Sequence, residues 1–252
     1  MSGADELIHR RIVELAQLRP GGVVVDLGCG SGPTLAAFAR SDPQCTVHGF
    51  DRSSDAVTKA AELLASHPGS SEFTAADLRD PVPLPDGCAD AVVSYNLLEC
   101  LPDPLALINE VGRLLAPGGT AVLAHVDFDS LVVAGAPQDL DRRICHAFAD
   151  DQQPWMDCVD GRIGRQLPGL VRRSTLRLRS AEPLVTSQTD LGGHAGRRIE
   201  GIHGTLVSAA VKGRGTVPRD EVDRWHETLV QAASLGQFFF AETAILVTAQ
   251  HP

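Results

Sequence analysis

The chain has 252 residues, of which 43% are hydrophobic, and it carries a formal net charge of −10 at pH 7. This length allows one large domain with an extensive core, and the acidic balance disfavours a nucleic-acid partner, because phosphate backbones would be repelled. No apolar run approaches the ~20 residues of a membrane helix and no export signal is recognised, so we expect a cytoplasmic protein with no membrane partner.

Helical and strand patterns alternate through the first half of the chain. Apolar residues at helical spacing predict a helix over 4–18, which Pro20-Gly21-Gly22 ends. Further patterns predict strands over 23–27, 46–50, 72–75, 90–94 and 120–126, and helices over 33–40, 54–66 and 103–115. Such alternation is typical of right-handed crossovers in a parallel sheet. Residues 1–127 are therefore predicted to form the cofactor-binding half of a doubly wound, Rossmann-like α/β domain.

This alternation breaks after residue 127. Residues 128–160 have helical character but end in a polar loop, and we expect them to form a lid or substrate insertion over the mouth of the sheet. Residues 161–252 resume the pattern as the C-terminal half of the same single domain, 1–252. Helices are predicted there over 163–173 and 218–235, and strands over 176–187 and 238–247. A helix over 193–213 is also predicted, although Gly201 and Gly204 weaken it, because glycine disfavours helix interiors.

The most informative stretch is residues 23–33, which read VVVDLGCGSGP. A β-branched run ends in an acid, three glycines alternate, and a helical segment begins, which predicts a strand, a tight turn and a helix N-terminus. The dinucleotide fingerprint G-x-G-x-x-G would need a third glycine at position 33, which is Pro33. The pattern therefore indicates a nucleoside cofactor that lacks a pyrophosphate.

Further candidate side chains follow at the ends of successive strands, where open α/β sheets bind their ligands. Gly28, Gly30 and Gly32 let the backbone approach a ligand closely. Asp51 ends the second strand, where a carboxylate can accept both hydroxyls of a ribose. Asp77 follows the third strand and can accept from the exocyclic amine of an adenine. Residues 94–96, at the end of the fourth strand, face the group to be transferred.

Taken together, these motifs resemble those of the class I S-adenosylmethionine-dependent methyltransferases. The resemblance rests on VVDLGCGSG, on Asp51, on Ala76-Asp77-Leu78, and on DAVVSYNLLECLPDP with NEVGRLLAPGG, over residues 7–127. It implies a seven-stranded sheet whose last strand is antiparallel, with helices on both faces and S-adenosyl-L-methionine as the cofactor. The cofactor-binding positions that it implies are Asp26, Gly28, Cys29, Gly30, Gly32, Asp51, Arg52, Asp77, Leu78, Asn96 and Leu97.

Within the family, the chain is most similar to small-molecule methyltransferases of bacterial specialised metabolism. These commonly have histidine where this chain has Cys100, so no catalytic role is assigned there. The Asn/Asp-Pro-Pro-Tyr/Phe signature of enzymes that methylate amino groups of nucleic acids is absent. A small-molecule acceptor is expected, while the methylated atom (O, N, C or S) and the presence of a homodimer stay open.

Two residues near the end of the fifth strand are candidates for a general base. His125 and Asp127 share one side of that strand, because side chains alternate with period two. Phe128, His146 and Trp155 in the predicted lid are candidates for the acceptor site. No Cys/His spacing typical of a metal site occurs, so no metal is expected, and the short arginine doublets are interpreted as solvated helix faces.

Two other functions remain open at this stage. One is a nicotinamide-dependent oxidoreductase, which Pro33 disfavours. The other is a non-catalytic cofactor-binding protein of the same fold, such as a partner subunit, against which the complete set of glycines and acids argues.

Overall fold

The computed structural model describes residues 3–251, and the side chains of residues 6–251. Within this range the helices are α1 Gly3–Ala16, α2 Pro33–Ser41, α3 Ser54–Leu63, α4 Pro104–Leu114, α5 Gln138–Ala149, α6 Ile163–Arg173, α7 Gly193–Val211 and α8 Arg219–Ser234. The strands are β1 Val23–Leu27, β2 Thr46–Asp51, β3 Ser71–Ala75, β4 Ala89–Tyr95, β5 Leu115–Val126, β6 Val132–Ala134, β7 Arg177–Gln188 and β8 Phe239–Gln250.

The described strands form one mixed sheet. Its main path runs β3-β2-β1-β4-β5-β8, and β7 pairs with the other edge of β8. The pairs from β3 to β5 are parallel, whereas β8 is antiparallel to both β5 and β7. The predicted doubly wound sheet with an antiparallel last strand is therefore confirmed. The structure adds β6, a three-residue strand that pairs with the start of β8 and makes the described sheet eight-stranded.

Alternation along β1 explains why helices cover both faces of the sheet. Val25 and Leu27 are buried in a cluster with residues of α4 and α6, whereas Val24 is buried on the opposite face in a cluster with residues of α1 and α2. Successive side chains of a strand point to opposite faces, so a continuous apolar run requires a cover on each side. A third cluster joins α5, α7 and α8 around Trp225, beyond the edge of the parallel strands.

Differences from the sequence predictions occur at element ends. Helix α1 ends at Ala16 rather than at 18, because Gln17 adopts a left-handed φ of 48°. Helix α3 ends at Leu63, where the chain turns and the His67 N–H donates to the Leu64 carbonyl. Strand β5 begins at Leu115, and its pairing with β4 jumps to Thr120 across the Pro-Gly-Gly segment, which forms an irregularity rather than a break.

No helix in residues 3–251 combines the length and the apolar character needed to cross a membrane. All six cysteines are free thiols, and four of them are buried. Packing and hydrogen bonding therefore hold the fold without disulfides.

The Trp225 indole supports the helical layer formed by α5, α7 and α8. It is fully buried, and its Nε1–H donates to Asp141 Oδ1 over 2.8 Å. Burial raises the pKa of Asp141 to about 6, although the bond from Trp225 opposes this shift.

We expect Trp225→Phe to lower the free energy of unfolding by about 2 kcal/mol or more, because it removes packing and a buried donor. Urea unfolding followed by circular dichroism measures this, and an equal loss in Trp155→Phe, where the side chain is exposed, would contradict it.

Candidate active site

The ends of β1, β2 and β4 and the segment after β3 surround a cavity of about 640 Å³, here called the strand-end cavity. Ten of the predicted site residues line it, namely Gly28, Cys29, Gly30, Asp51, Arg52, Asp77, Leu78, Asn96, Leu97 and Trp155. All of these except Trp155 meet because the carboxyl ends of parallel strands lie at one edge of a sheet. Asp26 and Gly32 do not line the cavity and lie behind it.

The glycine turn is shaped by positive φ angles and by one shared acceptor. The N–H groups of Gly28 and Cys29 both donate to the carbonyl of Phe50, over 2.8 and 2.9 Å. Gly28 and Gly30 have φ of +83° and +52°, which favour glycine. A Cβ on Gly30 would meet no atom within 4 Å, so the surface above it is open to a ligand. A Cβ on Gly32 would lie 3.0 Å from Ala60, so Gly32 serves packing between α2 and α3.

Asp51 links the turn to β2. Its Oδ2 accepts from the Gly30 N–H and its Oδ1 accepts from the Ser53 N–H, both over 2.9 Å. These bonds fix the carboxylate at the cavity wall while leaving it half-buried. Both oxygens retain lone pairs that a diol can use.

Beneath the turn lies the buried carboxyl of Asp26. Its side chain is 2% exposed, and its Oδ1 has no hydrogen-bond partner among the described residues. Burial and the neighbouring charge of Asp51 together raise the pKa of Asp26 to about 8. A cation that reached this carboxyl would therefore stabilise its ionised form.

Asp77 is engaged by its own neighbour along the chain. Arg79 donates to Asp77 through Nε and Nη2, and these hydrogen bonds lower the pKa of Asp77 to about 2. At this wall, Leu78 provides an apolar contact. If Asp77 accepts a hydrogen bond from an adenine amine, as predicted, it must do so while it also accepts from Arg79.

Asn96 and Leu97 extend β4 into the cavity. Asn96 adopts a φ of +54°, and its Oδ1 accepts from the Val126 N–H, which ties the ends of β4 and β5. The side chain of Leu97 lies over Gly28, where an added Cβ would be 3.0 Å from it. The turn and the end of β4 therefore fit together without room for a larger residue.

Residues 151–160 lie along the opposite side of the cavity and are held there by charge. Arg52 donates to the Trp155 carbonyl over 2.9 Å. The Asp157 carboxylate lies 3.6 Å from Arg52 and 3.8 Å from Arg79. The segment is thereby attached to the ends of β2 and β3, and it contributes Trp155 and Asp157 to the cavity lining.

The structure does not bring His125 and Asp127 to a cavity surface. His125 is fully buried and Asp127 accepts two hydrogen bonds from Arg165. The cause is α6, whose Gly164 approaches so closely that an added Cβ would be 3.0 Å from the His125 carbonyl. Helix α6 therefore covers the side of β5 that period-two alternation had assigned to the cleft, so neither side chain can contact a ligand directly.

Of the three candidates for the acceptor site in the predicted lid, two line a cavity and one does not. His146 is exposed on α5, and it lines neither the strand-end cavity nor the two cavities that adjoin it. Phe128 and Trp155 line a cavity of about 290 Å³, here called the aromatic cavity, which meets the strand-end cavity at Trp155. A further cavity of about 360 Å³ meets the strand-end cavity at His9, Ser31, Pro33 and Tyr95.

Among the residues that line these cavities without having been predicted are His9, Glu99 and Arg198. His9 comes from α1, with its Nδ1 3.0 Å from Thr34 Oγ1. Glu99 interrupts the apolar run LLECL, and that charge was its one sequence signal. Arg198 belongs to a doublet interpreted as solvated, yet its Nε donates to Glu242 over 2.8 Å and its guanidinium lies 5.0 Å from the Phe128 ring centre.

The family model that matches this chain and a named relative are both described as methyltransferases. A family model described as a methyltransferase domain matches residues 18–200. An uncharacterised 37.1 kDa protein in transposon TN4556 of Streptomyces fradiae is 28% identical over 240 residues, covering 95% of this chain and 65% of that protein. A ubiquinone biosynthesis O-methyltransferase of Xanthomonas campestris is 34% identical over 108 residues, covering 43% of this chain and 44% of that enzyme. This chain thus spans less than two thirds of either relative.

A solved structure shows the same fold over nearly the whole chain. The putative methyltransferase of Bacillus halodurans matches with a TM-score of 0.62 at 15% identity, covering 97% of this chain and 98% of that one. At this identity, the match concerns the fold alone.

Asp26 gives a testable pH dependence of stability. Since burial raises its pKa from 3.8 to about 8, the folded protein keeps a proton that the unfolded chain releases. Its contribution to stability is therefore complete below pH 4 and is lost as the pH rises through 8. We expect Asp26→Asn to stabilise the ligand-free protein at pH 8 by about 4 kcal/mol more than at pH 5, because nearly three pH units separate pH 5 from the folded pKa and each is worth about 1.4 kcal/mol.

Thermal unfolding at several pH values measures the difference between variant and wild type. Asp55→Asn, which changes an exposed acid at the start of α3, is the matched control. A difference that does not vary between pH 5 and pH 8 would show that Asp26 is ionised in the folded protein.

Proposed function

Because this chain belongs to the methyltransferase domain family, we propose that it transfers the methyl group of S-adenosyl-L-methionine to a small-molecule acceptor. The observation that carries the proposal is that the glycine turn and Asp51 line one cavity, while the unpartnered Asp26 carboxyl is buried directly behind the turn. Each of these matches a different chemical group of that cofactor.

The residues fit the cofactor group by group. The open surface over Gly30 and the first N–H groups of α2 suit the carboxylate of the methionine part, because helix N-termini favour anions. The unpartnered Oδ1 of Asp26 suits its ammonium group. Asp51 accepts from the ribose hydroxyls, while Leu78 provides an apolar wall for the adenine.

When bound, S-adenosyl-L-methionine supplies an electrophilic methyl group on a sulfonium sulfur. The protein contributes alignment, since methyl transfer is an in-line displacement that gains most from holding the reacting atoms in position. Asn96 and Leu97, at the end of β4, and Tyr95, shared by two cavities, lie where an acceptor would approach.

The two other functions are less well supported. An oxidoreductase would bind a pyrophosphate at the turn, but Pro33 occupies the position of the third glycine and begins α2. A non-catalytic protein would need no acceptor space, whereas two further cavities adjoin the strand-end cavity.

Calorimetric titration with S-adenosylhomocysteine and with NADH tests the proposal. Micromolar binding of S-adenosylhomocysteine without binding of NADH is expected. Binding of NADH alone would overturn the proposal, and binding of neither would remove its basis.

Asp51 provides the sharpest test of the cofactor position. We expect Asp51→Ala to weaken the binding of S-adenosylhomocysteine by at least about tenfold, because charge-assisted hydrogen bonds to the ribose are lost. Calorimetry measures the affinity, and Asp55→Ala, four residues further on and exposed, should bind as the wild type does. Unchanged affinity in Asp51→Ala would place the ribose elsewhere.

Residues 151–160 are proposed to retain the bound cofactor, as part of the predicted lid. Removing the Asp157 charge should release S-adenosylhomocysteine about three- to tenfold faster in Asp157→Asn, since two exposed ion pairs of modest strength are lost. Stopped-flow dissociation measures the rate, with Asp150→Asn as the control in the same region. Equal dissociation rates in the two variants would contradict a retaining role.

A further inference from the structure

The aromatic cavity has a composition of its own. Phe128, Phe148, Trp155 and Met156 provide most of its apolar wall, and Arg198 lies at its border with the third cavity. Phe128 and Phe148 meet edge to face with ring centres 5.5 Å apart. Such a wall suits a flat or bulky apolar compound.

The charge that the cavity offers a ligand is negative. Arg198 lines it, but its guanidinium is committed to Glu242 at 2.8 Å and lies over Phe128. Asp151 also lines it and accepts from Gln153 Nε2. In contrast, the Glu99 carboxyl has no hydrogen-bond donor among the described residues, although the residue is only 5% exposed. A buried carboxyl without a hydrogen-bond donor has acceptor capacity that a ligand can fill, although the Arg198 charge acts on it from nearby.

His125 is the buried ring next to the Glu99 carboxyl. The His125 Nδ1 is 2.8 Å from the Val126 carbonyl, which can only accept, so the ring proton resides on Nδ1. Its Nε2 is then an acceptor, without a partner among the described residues, 4.0 Å from Glu99 Oε1. At 4.0 Å the two groups lie beyond hydrogen-bond distance, so the ring is a neutral polar neighbour of the Glu99 carboxyl.

The charged groups around Glu99 act in opposite directions. Burial raises the pKa of Glu99 to about 7, with Arg198 opposing this shift and Asp160 adding to it. Burial lowers the pKa of His125 to about 4, so this ring is neutral near pH 7. Cys158 faces the segment from the other side, where its Sγ–H donates to the Glu99 carbonyl. Burial thus brings the pKa of Glu99 close to neutral pH, while the His125 ring beside it stays neutral there.

Gly201 in the middle of α7 keeps the cavity open. A glycine inside a helix costs roughly 1 kcal/mol relative to alanine. Nothing lies within 4 Å of an added Cβ at Gly201, and the residue lines the aromatic cavity. Gly204, three residues further along α7, has equally open surroundings but lines none of the three cavities. A larger residue at Gly201 would therefore reduce the volume of the aromatic cavity, and the same substitution at Gly204 is a control on the same helix.

Resting on the methyl transfer proposed above, we propose that the aromatic cavity binds the acceptor as a hydrophobic amine, whose ammonium group Glu99 holds and deprotonates. The proton passes from the ammonium nitrogen to the Glu99 carboxylate, and the neutral His125 ring lies next to that carboxyl. The freed nitrogen lone pair forms the new N–C bond, and the electrons of the broken C–S bond remain on sulfur as a neutral thioether. Charge and atoms balance without any further reactant.

Binding to the protein saturated with S-adenosylhomocysteine tests this assignment without requiring turnover. The probes are naphthylmethylamine, the neutral naphthylmethanol and the anionic naphthoic acid, titrated by calorimetry. We expect the amine to bind at least about tenfold more tightly than the other two, as a charge-assisted hydrogen bond supplies the difference. Glu99→Gln should remove this preference and leave the affinity for the alcohol unchanged.

Two further readouts separate a direct role of Glu99 from a structural one. In the wild type, the affinity for the amine should rise by about tenfold between pH 5.5 and pH 8, as Glu99 ionises, and in Glu99→Gln it should stay flat. Gly201→Leu should weaken the binding of both the amine and the alcohol by at least about tenfold, whereas Gly204→Leu should bind both as the wild type does.

The outcomes distinguish the two proposals. If naphthoic acid binds most tightly, or if the amine binds equally well to Glu99→Gln, the amine assignment is wrong. If none of the probes binds while S-adenosylhomocysteine does, the acceptor site lies elsewhere and the proposed function stands. If S-adenosylhomocysteine itself fails to bind the wild type, the proposed function fails first.

Discussion

Two backbone N–H groups, those of Gly28 and Cys29, share the carbonyl of Phe50 as their acceptor. This shared bond bends the chain sharply at the end of β1 and fixes the turn to the neighbouring strand. Asp51 directly follows Phe50, so the same contact brings its carboxylate to Gly30, whose N–H it accepts. The turn, the start of α2 and the end of β2 are thus held together as one unit. This unit forms the wall of the strand-end cavity against which the other lining groups are placed. Because the sheet is parallel from β3 to β5, β4 adds Asn96 and Leu97 at the same edge.

The site residues that could be predicted are those that lie close in sequence to a recognisable strand. The glycine turn, Asp51 and Asn96 each follow a strand within a few residues, so locating the strands locates them. The aromatic cavity could not be predicted in this way, because Glu99 follows β4 while Arg198 and Gly201 come from α7, about 100 residues later in sequence. Helix α7 itself was only weakly indicated, since the glycines that lower its propensity are the ones that leave space beside it.

The prediction for His125 shows how a correct local rule can mislead. Alternation along β5 is real, and His125 and Asp127 do share a side of the strand end. Nothing in the sequence of β5 reveals that α6 lies against this side through Gly164, or that Arg165 from the same helix engages Asp127. Cover by a later helix is a tertiary property, and it turns a candidate base into a neutral ring that faces Glu99.

Two buried carboxyls lie at or beside the cavities, Asp26 behind the strand-end cavity and Glu99 in the aromatic cavity. Burial raises the pKa of both, to about 8 and about 7. Ionising either one in the ligand-free protein is unfavourable, so each site would favour a ligand that brings a positive charge. Ligand binding and ionisation of these carboxyls are therefore linked. Ionisation of either acid lowers the free energy of unfolding, and a bound cation offsets that loss. The net charge of −10 adds to this, since an acidic protein attracts cations over a longer range than its cavities extend. Two buried acids with raised pKa values at adjoining cavities are thus what the proposed binding of a sulfonium cofactor beside an ammonium acceptor would require.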